Sequence, residues 1–475
     1  MTLKSIFLTA ISLLTCLISN AQIERLVADE DLAGATISAI LLDALSGEEI
    51  ESYNKDVLAC PASVWKLATT SAALENLGRD FRFNTHLAYT GEIKDSVLHG
   101  DILIIGSGDP SLGSRHFDDG FDKFIESYTQ FVIAAGIDSI AGKVIGNGAH
   151  LQGQSIPGTR VWEDMGNYFG AGIHGLNFND NTYFLNFSTP AEAGQPAKLL
   201  SVYPKVPGMV IKSEVLSSTV QSDQAYIYGS PLELKRTVRG TLPLGRDRYT
   251  IKGSIPDPAL FMAFHLHEKL SDAGIPSNGY TAEKEQFREP ITYTKLATTE
   301  SVPLSEMVKH TNRESDNLMA DGLLVQLGAK NGSPSIEGGV EALEAYLRTI
   351  WGGDATFFAY DGSGLSRFTA VSADQLAKLV VNMRNSPMQK QYLLDVLPEA
   401  GKEGSVKWFG LRTNLSGNAK LKSGSMTNVK AYAGVLQTYS GRELAFAIMV
   451  NNFEVSGTEV RKKIEDWLIR AYGHY

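Results

Sequence analysis

The first part of the chain has a pattern of apolar and polar positions that predicts a β-hairpin followed by a helix. Residues 35–42 are apolar and β-branched, Ser46 and Gly47 mark a turn, and residues 49–54 alternate between polar and apolar side chains. From Trp65 to Leu77, apolar residues then recur at helical spacing until Gly78. The pattern therefore predicts a helix that is entered at residues 61–63 and ends at Gly78.

The pattern of apolar and polar residues changes twice in the rest of the chain. Residues 81–288 contain short alternating stretches separated by turn-forming residues, which indicates mostly β structure, with a helical pattern at 258–270. Helical patterns follow around 304–327, 337–350 and 372–383, and strand-like runs occupy 432–438 and 444–450. Apolar residues spaced 460, 464, 467 and 468 predict a final amphipathic helix. We expect this helix to pack on the preceding strands; adsorption to a membrane is the alternative.

Composition places the chain among globular proteins. Its 475 residues are 43% hydrophobic and 20% charged, enough to build a large core, and the length exceeds that of one small module. Lysine and arginine number 43 against 53 acidic residues, which gives a formal charge of −10. Because an acidic chain is repelled by phosphate backbones and anionic lipids, nucleic acid is not an expected partner.

The beginning of the chain has the pattern of a secretory signal peptide. Lys4 precedes an apolar run at 6–18, and Ser19, Asn20 and Ala21 form a small-spacer-small cleavage site. We expect residues 1–21 to be removed after Ala21. A run this short spans about 20 Å, less than the ~30 Å bilayer core, so a retained membrane helix is the weaker alternative, as is a degenerate lipid-attachment site at Cys16. Export to a bacterial periplasm or cell envelope follows, with Cys60 as the one remaining cysteine and no internal disulfide.

A serine three residues before a lysine can be activated by the lysine amine when both lie on one face of a helix. The pattern occurs at Ser63–Lys66, where the predicted helix opens, and again at Ser52–Lys55. In the second copy the residues lie in a predicted strand, where positions i and i+3 point to opposite faces. Ser63 is therefore the candidate nucleophile.

Two further motifs follow in order. Ser315-Asp316-Asn317 comes 252 positions after Ser63, and Lys422-Ser423-Gly424 lies shortly before the last two strand-like runs. Ser416-Gly417-Asn418 matches the Ser-x-Asn pattern as well, so that pattern alone is weak. Ser-x-x-Lys, Ser-Asp-Asn and Lys-Ser-Gly in this order are typical of active-site serine enzymes that interact with penicillin.

With these motifs the chain resembles the S13 peptidase family, the D-alanyl-D-alanine carboxypeptidases/endopeptidases of the class C low-molecular-mass penicillin-binding type. Residues 98–112, 162–181 and 361–367 resemble further family stretches, whereas Trp65 and Ser423 depart from the common residues. The resemblance implies an α+β, multidomain fold. A β-lactamase/transpeptidase-like catalytic domain, an antiparallel sheet with helices, would occupy 22–82 and 289–475. A mostly β accessory insert of two nested domains would occupy 83–288.

The resemblance also implies the chemistry. Ser63 would attack the carbonyl between two terminal D-alanines of a peptidoglycan stem, and Lys66 would act as the general base. An exposed lysine has a pKa of ~10.4. The role of general base therefore requires that burial and the neighbouring charge of Lys422 lower the pKa of Lys66. Ser315 would pass the proton to the leaving amine, and Asn317 would orient Lys66 and the substrate amide.

Substrate recognition is implied in the same way, with β-lactams as inhibitors and no metal or cofactor. Lys422 and Ser423 would hold the terminal carboxylate, and the backbone N–H groups of Ser63 and Ser425 would form the oxyanion hole. The resemblance assigns substrate binding to one further set of residues, namely Gly424, Asp164, Phe169 and Arg367.

Other interpretations remain open at this point. A class A β-lactamase would need a glutamate heading a Glu-x-x-x-Asn pattern, which neither Glu337 nor Glu341 does. A non-catalytic wall-binding or scaffold protein could keep the fold. His265 and His267 diverge on a helix and are a weak metal site, and Gly106-Ser107-Gly108 predicts a tight turn rather than a dinucleotide loop.

Overall fold

The structure, a computed structural model, describes residues 21–117, 120–283 and 292–475. The predicted leader up to residue 20 and the predicted end of the insert at 288 lie outside these ranges. The chain divides into two compact units. The first unit contains the described residues up to Arg79 together with Val308–Asp316 and Val340–Tyr475, and the second contains Asp80–Met307 and Asn317–Gly339. The nested division of the insert stays a prediction.

The strands, in chain order, are β1 (Thr36–Asp43), β2 (Glu49–Tyr53), β3 (Asn84–Tyr89), β4 (Glu92–Lys94), β5 (Val97–His99), β6 (Ile102–Ile105), β7 (Ser139–Ile140), β8 (Val144–Asn147), β9 (Thr182–Thr189), β10 (Lys198–Tyr203), β11 (Val210–Ser218), β12 (Tyr226–Tyr228), β13 (Lys235–Pro243), β14 (Arg246–Ser254), β15 (Tyr280–Glu283), β16 (Thr294–Glu300), β17 (Ala419–Met426), β18 (Val429–Gln437) and β19 (Glu443–Asn451). The α-helices are α1 (Ala21–Val27), α2 (Lys66–Leu77), α3 (Phe121–Ala134), α4 (Trp162–Met165), α5 (Pro258–Asp272), α6 (Leu304–Glu314), α7 (Asn317–Lys330), α8 (Ile336–Trp351), α9 (Ala373–Asn385), α10 (Lys390–Val396) and α11 (Gly457–His474).

The first unit is built on a five-stranded antiparallel sheet in the order β17-β18-β19-β1-β2. The predicted hairpin, β1 with β2, is confirmed, and so is the antiparallel sheet with helices. On one face of the sheet, Leu41 and Phe446 share a core with Trp467 of α11, so the final helix packs on the strands as predicted. On the other face, α9 packs against β1 and β19. Helices on both faces explain why β19 is apolar along nearly its whole length.

The second unit contains a sheet in the order β15-β8-β6-β3-β16 and three three-stranded sheets. The predicted helix at 258–270 is α5, and it packs on α3 and on β8 and β15. Helix α3 was not predicted, although its apolar residues 121, 124, 125, 128 and 132 follow helical spacing. The short strands around it dominated the pattern of this region.

Two local features differ from the sequence pattern and matter for the site. The helical stretch around 304–327 is divided into α6 and α7, with Ser315 between them at a φ of 62°. The Lys-Ser-Gly motif precedes the two predicted strand-like runs, β18 and β19, as expected, but it lies within a further strand that was not predicted, β17, at the edge of the sheet. Among the described helices, none has the length and apolar composition needed to cross a membrane.

Candidate active site

Ser63 lies in a short 3-10 turn, Ala62–Trp65, that leads directly into α2. Ala62 is buried and adopts a φ of 45°, a left-handed conformation that costs an alanine free energy and needs surrounding packing to hold it. The turn leaves Ser63 partly accessible while Lys66 is fully buried. The Lys66 Nζ donates to Ser63 Oγ at 2.9 Å, so the two residues of the first motif meet as the helical spacing predicts.

A loop of the first unit fixes the other side of Lys66. The Lys66 Nζ also donates to the backbone carbonyl of Ser363 at 2.7 Å. The buried carboxylate of Asp361 shapes this loop, because it accepts from the N–H groups of Gly364 and Ser366, each at 2.8 Å. The Trp65 Nε1 donates to the Asp361 carbonyl at 2.8 Å, so the unusual residue in the first motif joins the turn to the loop.

The positioning roles of Ser363 and Asp361 were missed from the sequence. The sequence marks residues 361–367 only through their resemblance to the family, with Arg367 as the site residue. From this loop, the backbone carbonyl of Ser363 accepts from Lys66 Nζ, and no pattern of residue types marks a backbone carbonyl as functional. A Cβ on Gly364 would collide with the carbonyl of Ala62, and the φ of Gly364 is 71°, so this position requires glycine.

The second and third motifs meet at Lys422. The Lys422 Nζ donates to Ser315 Oγ at 2.9 Å and to the carbonyl of Ser423 at 2.7 Å. The Ser423 Oγ donates to Ser405 Oγ at 2.9 Å, a neighbour that sequence reasoning did not identify. The left-handed φ of Ser315 ends α6 and leaves its hydroxyl near the strand.

Two lysines are buried in this site. Lys66 and Lys422 both have zero exposed surface. Burial lowers the pKa of Lys422 well below its ordinary value, and the charge of Lys66 lowers it further. In the described part of the chain, no carboxylate forms an ion pair with Lys422. A second positive charge in the free site is therefore unfavourable.

Strand β17 approaches the backbone of the nucleophile turn very closely. A Cβ on Gly424 would lie 3.1 Å from the Ser63 N and 3.1 Å from the Ala62 Cβ, and closer still to the carbonyl of Pro61. Only a residue without a side chain fits there. The next residue, Ser425, is exposed, and its Oγ accepts from Lys430 Nζ at 2.8 Å.

The other predicted site residues are described within the unit to which each belongs. In the second unit, Asn317 begins α7, and its Nδ2 donates to the carbonyl of Phe169 at 2.7 Å. Asp164 is half-buried in α4 of the same unit, five residues before Phe169. Arg367 is exposed in the first unit, where its Nη1 donates to the carbonyl of Thr427 at 3.3 Å. The structure thus pairs Asn317 with Phe169 and leaves Arg367 at the surface.

The weaker candidates have structural explanations. Ser52 and Lys55 both bond to Glu49, each at 2.6 Å, so this second Ser-x-x-Lys is held by a shared carboxylate. His265 bonds to the carbonyl of Lys205, and His267 bonds to Ser277. The two rings therefore serve different partners.

Comparison with known proteins identifies the family of the chain. The sequence model of the D-Ala-D-Ala carboxypeptidase 3 (S13) family matches residues 19–471. A D-alanyl-D-alanine carboxypeptidase of Actinomadura sp. is 26% identical over 444 residues, which cover 91% of this chain and 80% of that protein. The D-alanyl-D-alanine carboxypeptidase DacB of Haemophilus influenzae is 22% identical over 435 residues, or 90% of this chain and 88% of that protein.

Solved structures show the same fold. Penicillin-binding protein 4 of H. influenzae superposes with a TM-score of 0.80 at 23% identity, covering 93% of this chain and 97% of that chain. The penicillin G-acylated predatory endopeptidase Bd3459 of Bdellovibrio bacteriovorus gives a TM-score of 0.51 at 19% identity, with coverages of 92% and 94%. The match of the family model over nearly the whole sequence decides the matter: the chain is an enzyme of the D-Ala-D-Ala carboxypeptidase 3 (S13) family.

Proposed function

We propose that Ser63 is the nucleophile of a peptidoglycan DD-peptidase and that Lys66 is its general base. This proposal rests on the 2.9 Å hydrogen bond from Lys66 Nζ to Ser63 Oγ and on the complete burial of Lys66. Ser63 Oγ gives its proton to the amine as it bonds to the carbonyl carbon of the penultimate D-alanine. The C–N bond then breaks, and water later resolves the acyl-enzyme.

The second half of the site supports proton delivery to the leaving group. The Ser315 hydroxyl, held by Lys422 at 2.9 Å, would pass a proton to the departing amine. Lys422 and Ser423 would bind the terminal carboxylate of the substrate. Because burial and the charge of Lys66 disfavour a charged Lys422 in the free site, an arriving carboxylate would compensate both effects. Binding of the substrate carboxylate would thus stabilise the charged form of Lys422.

The oxyanion hole would consist of the backbone N–H groups of Ser63 and Ser425. The close approach of Gly424 to the Ser63 N supports this assignment, because it fixes the strand beside the nucleophile. Preorganised donors of this kind stabilise the charge that develops on the carbonyl oxygen, and one donor is worth ~10²–10³ in rate in other serine enzymes.

Asp164, Phe169 and Arg367 would recognise the stem peptide, and Asn317 would orient Lys66 and the substrate amide, as the family resemblance implies. The hydrogen bond from Asn317 to the Phe169 carbonyl supports a joint role for those two, since it fixes the segment that also carries Asp164. The assignments of Asp164 and Arg367 depend on the family resemblance alone.

The cellular setting belongs to the same proposal. The leader would direct export to the periplasm or cell envelope, with cleavage after Ala21, and β-lactams would acylate Ser63. The accessory insert and its boundaries at 83 and 288 are proposed from the same resemblance. Release of the terminal D-alanine and cleavage of cross-links both fit this site, since both reactions break a bond after a D-alanine.

The test is a pair of serine variants. Ser63→Ala should abolish both D-alanine release and labelling by a fluorescent penicillin while the protein still folds, because a small, partly exposed hydroxyl contributes little packing. Ser52→Ala, in the second Ser-x-x-Lys, is the matched control and should keep both activities. Persistent labelling of the Ser63→Ala protein would contradict the nucleophile assignment, and a wild-type protein that never labels would support the scaffold alternative. Digestion of defined muropeptides, with products identified by mass, then separates carboxypeptidase from endopeptidase action.

A further inference from the structure

The second unit presents a cluster of aromatic rings to solvent that the proposed function does not use. Trp162 is 57% exposed and Tyr226 is 37% exposed. The ring of Tyr228 lies against Trp162, with 5.0 Å between the ring centroids. Trp162, Tyr226 and Tyr228 are called here the aromatic platform.

The elements beneath the platform are closely packed. Tyr226 and Tyr228 alternate along β12 and so share one face, while Ile227 between them is fully buried. The Ile227 N–H donates to the side chain of Asn167 at 3.1 Å. A Cβ on Gly166 would collide with the carbonyl of Ile227, so the segment after α4 is packed directly on the strand. Exposed aromatic groups on such a closely packed support are typical of interaction sites.

Carboxylates border the rings and restrict the kind of partner. Glu163 and Asp164 lie in α4, which packs against β12. Their charges add to burial in raising the pKa of Tyr226, and Asp223 contributes a third negative charge. An anionic partner would be repelled by this border. A neutral partner with apolar faces and many hydroxyl groups fits both the rings and the acceptors.

We propose that the aromatic platform binds the glycan strand of peptidoglycan. A sugar ring would place its C–H face on Trp162 or Tyr228, and its hydroxyl groups would donate to Glu163. This inference rests on the proposed function, since that function makes the stem peptide of the same polymer the substrate. The segment that begins at Trp162 also carries Asp164 and Phe169, the residues proposed for the stem. Stem and glycan are covalently joined, so a site for one beside a site for the other binds two parts of one molecule.

The test uses the Ser63→Ala protein, which cannot cleave stem peptides, and glycan strands whose stem peptides have been removed by an amidase and whose freed lactyl carboxylates have been converted to methylamides, so that the strand stays neutral. Binding is measured by tryptophan fluorescence and by co-sedimentation with insoluble peptidoglycan. Adding Trp162→Ala should weaken glycan binding about three- to tenfold, the range expected for losing one stacked ring. Trp408→Ala is the matched control, because Trp408 is 59% exposed in the first unit and should be replaceable without effect.

A second variant guards against misfolding of the first. Tyr226→Ala leaves the contact between Trp162 and Tyr228 in place and should weaken binding in the same direction. Penicillin contains no sugar, so penicillin labelling of the unmodified chain tests the proposed function independently of glycan binding. A chain that labels with penicillin but binds stripped glycan equally with and without Trp162 overturns this inference alone. Binding that requires the stem peptides, or binding of a protein instead of glycan, overturns it as well.

Discussion

Replacing Gly424 by alanine is the sharpest test of how the site is assembled. The new Cβ would lie 3.1 Å from the Ser63 N and the Ala62 Cβ, whereas carbon atoms in contact prefer about 3.5–4.0 Å. Strand β17 or the nucleophile turn must therefore move by more than ~0.4 Å, because the carbonyl of Pro61 lies closer still to the new Cβ. Since a displacement of ~1 Å can cost ~10²-fold in rate, the shift should slow acylation of Ser63 at least about tenfold.

The assay is the acylation rate of Ser63 by a fluorescent penicillin, together with the denaturation midpoint of each protein. Gly353→Ala is the matched control in the same unit, because an added Cβ there meets no described heavy atom within 4 Å. Strain from the Gly424 substitution should also lower the free energy of unfolding by about 1–3 kcal/mol. Acylation of the Gly424→Ala protein at the rate of the Gly353→Ala protein would refute the close packing of the strand on the turn.

Two buried groups, Lys422 and Asp361, and the acyl-enzyme on Ser63 each provide a further test. Since the pKa of Lys422 is lowered in the folded protein, the unfolded chain binds more protons between that pKa and 10.5, and the free energy of unfolding should rise with pH in this window. Lys422→Met should remove the rise. Equal slopes of unfolding free energy against pH for both proteins, from denaturant titrations at pH 7 to 10, would contradict this. Asp361→Asn should lower the free energy of unfolding by about 1–3 kcal/mol and slow the acylation of Ser63. The two carboxylate oxygens of Asp361 each accept one backbone N–H of the loop, and an amide has only one such oxygen. Unchanged acylation would show that the loop does not position Lys66. The penicillin adduct on Ser63 should be lost much more slowly than a D-Ala-D-Ala peptide is turned over, because the leaving group of the lactam stays tethered in the site. Intact-protein mass spectrometry measures the loss of the adduct. Release of penicilloic acid as fast as peptide turnover would favour the β-lactamase interpretation.

Local patterns in the sequence were enough to determine much of the protein. The hairpin of β1 and β2, the helix that ends at Gly78 and the final helix all have periodic apolar positions, and each was predicted from them. The pairing of Ser63 with Lys66 follows from helical spacing alone, since residues three apart on a helix share a face. The order of the three motifs was sufficient to indicate the family.

Tertiary structure decided the contacts between residues distant in sequence. Lys422 meets Ser315 across 107 positions, and Lys66 meets the carbonyl of Ser363 across 297. Neither pairing has a local signature, because a backbone carbonyl is present at every position and a buried lysine cannot be told from an exposed one by its residue type. The requirement for glycine at 424 likewise depends on a turn more than 350 positions earlier in the chain. Spacing along one helix determines which neighbours share a face, but only the folded sheet determines which strand lies beside the nucleophile and which charges repel each other there.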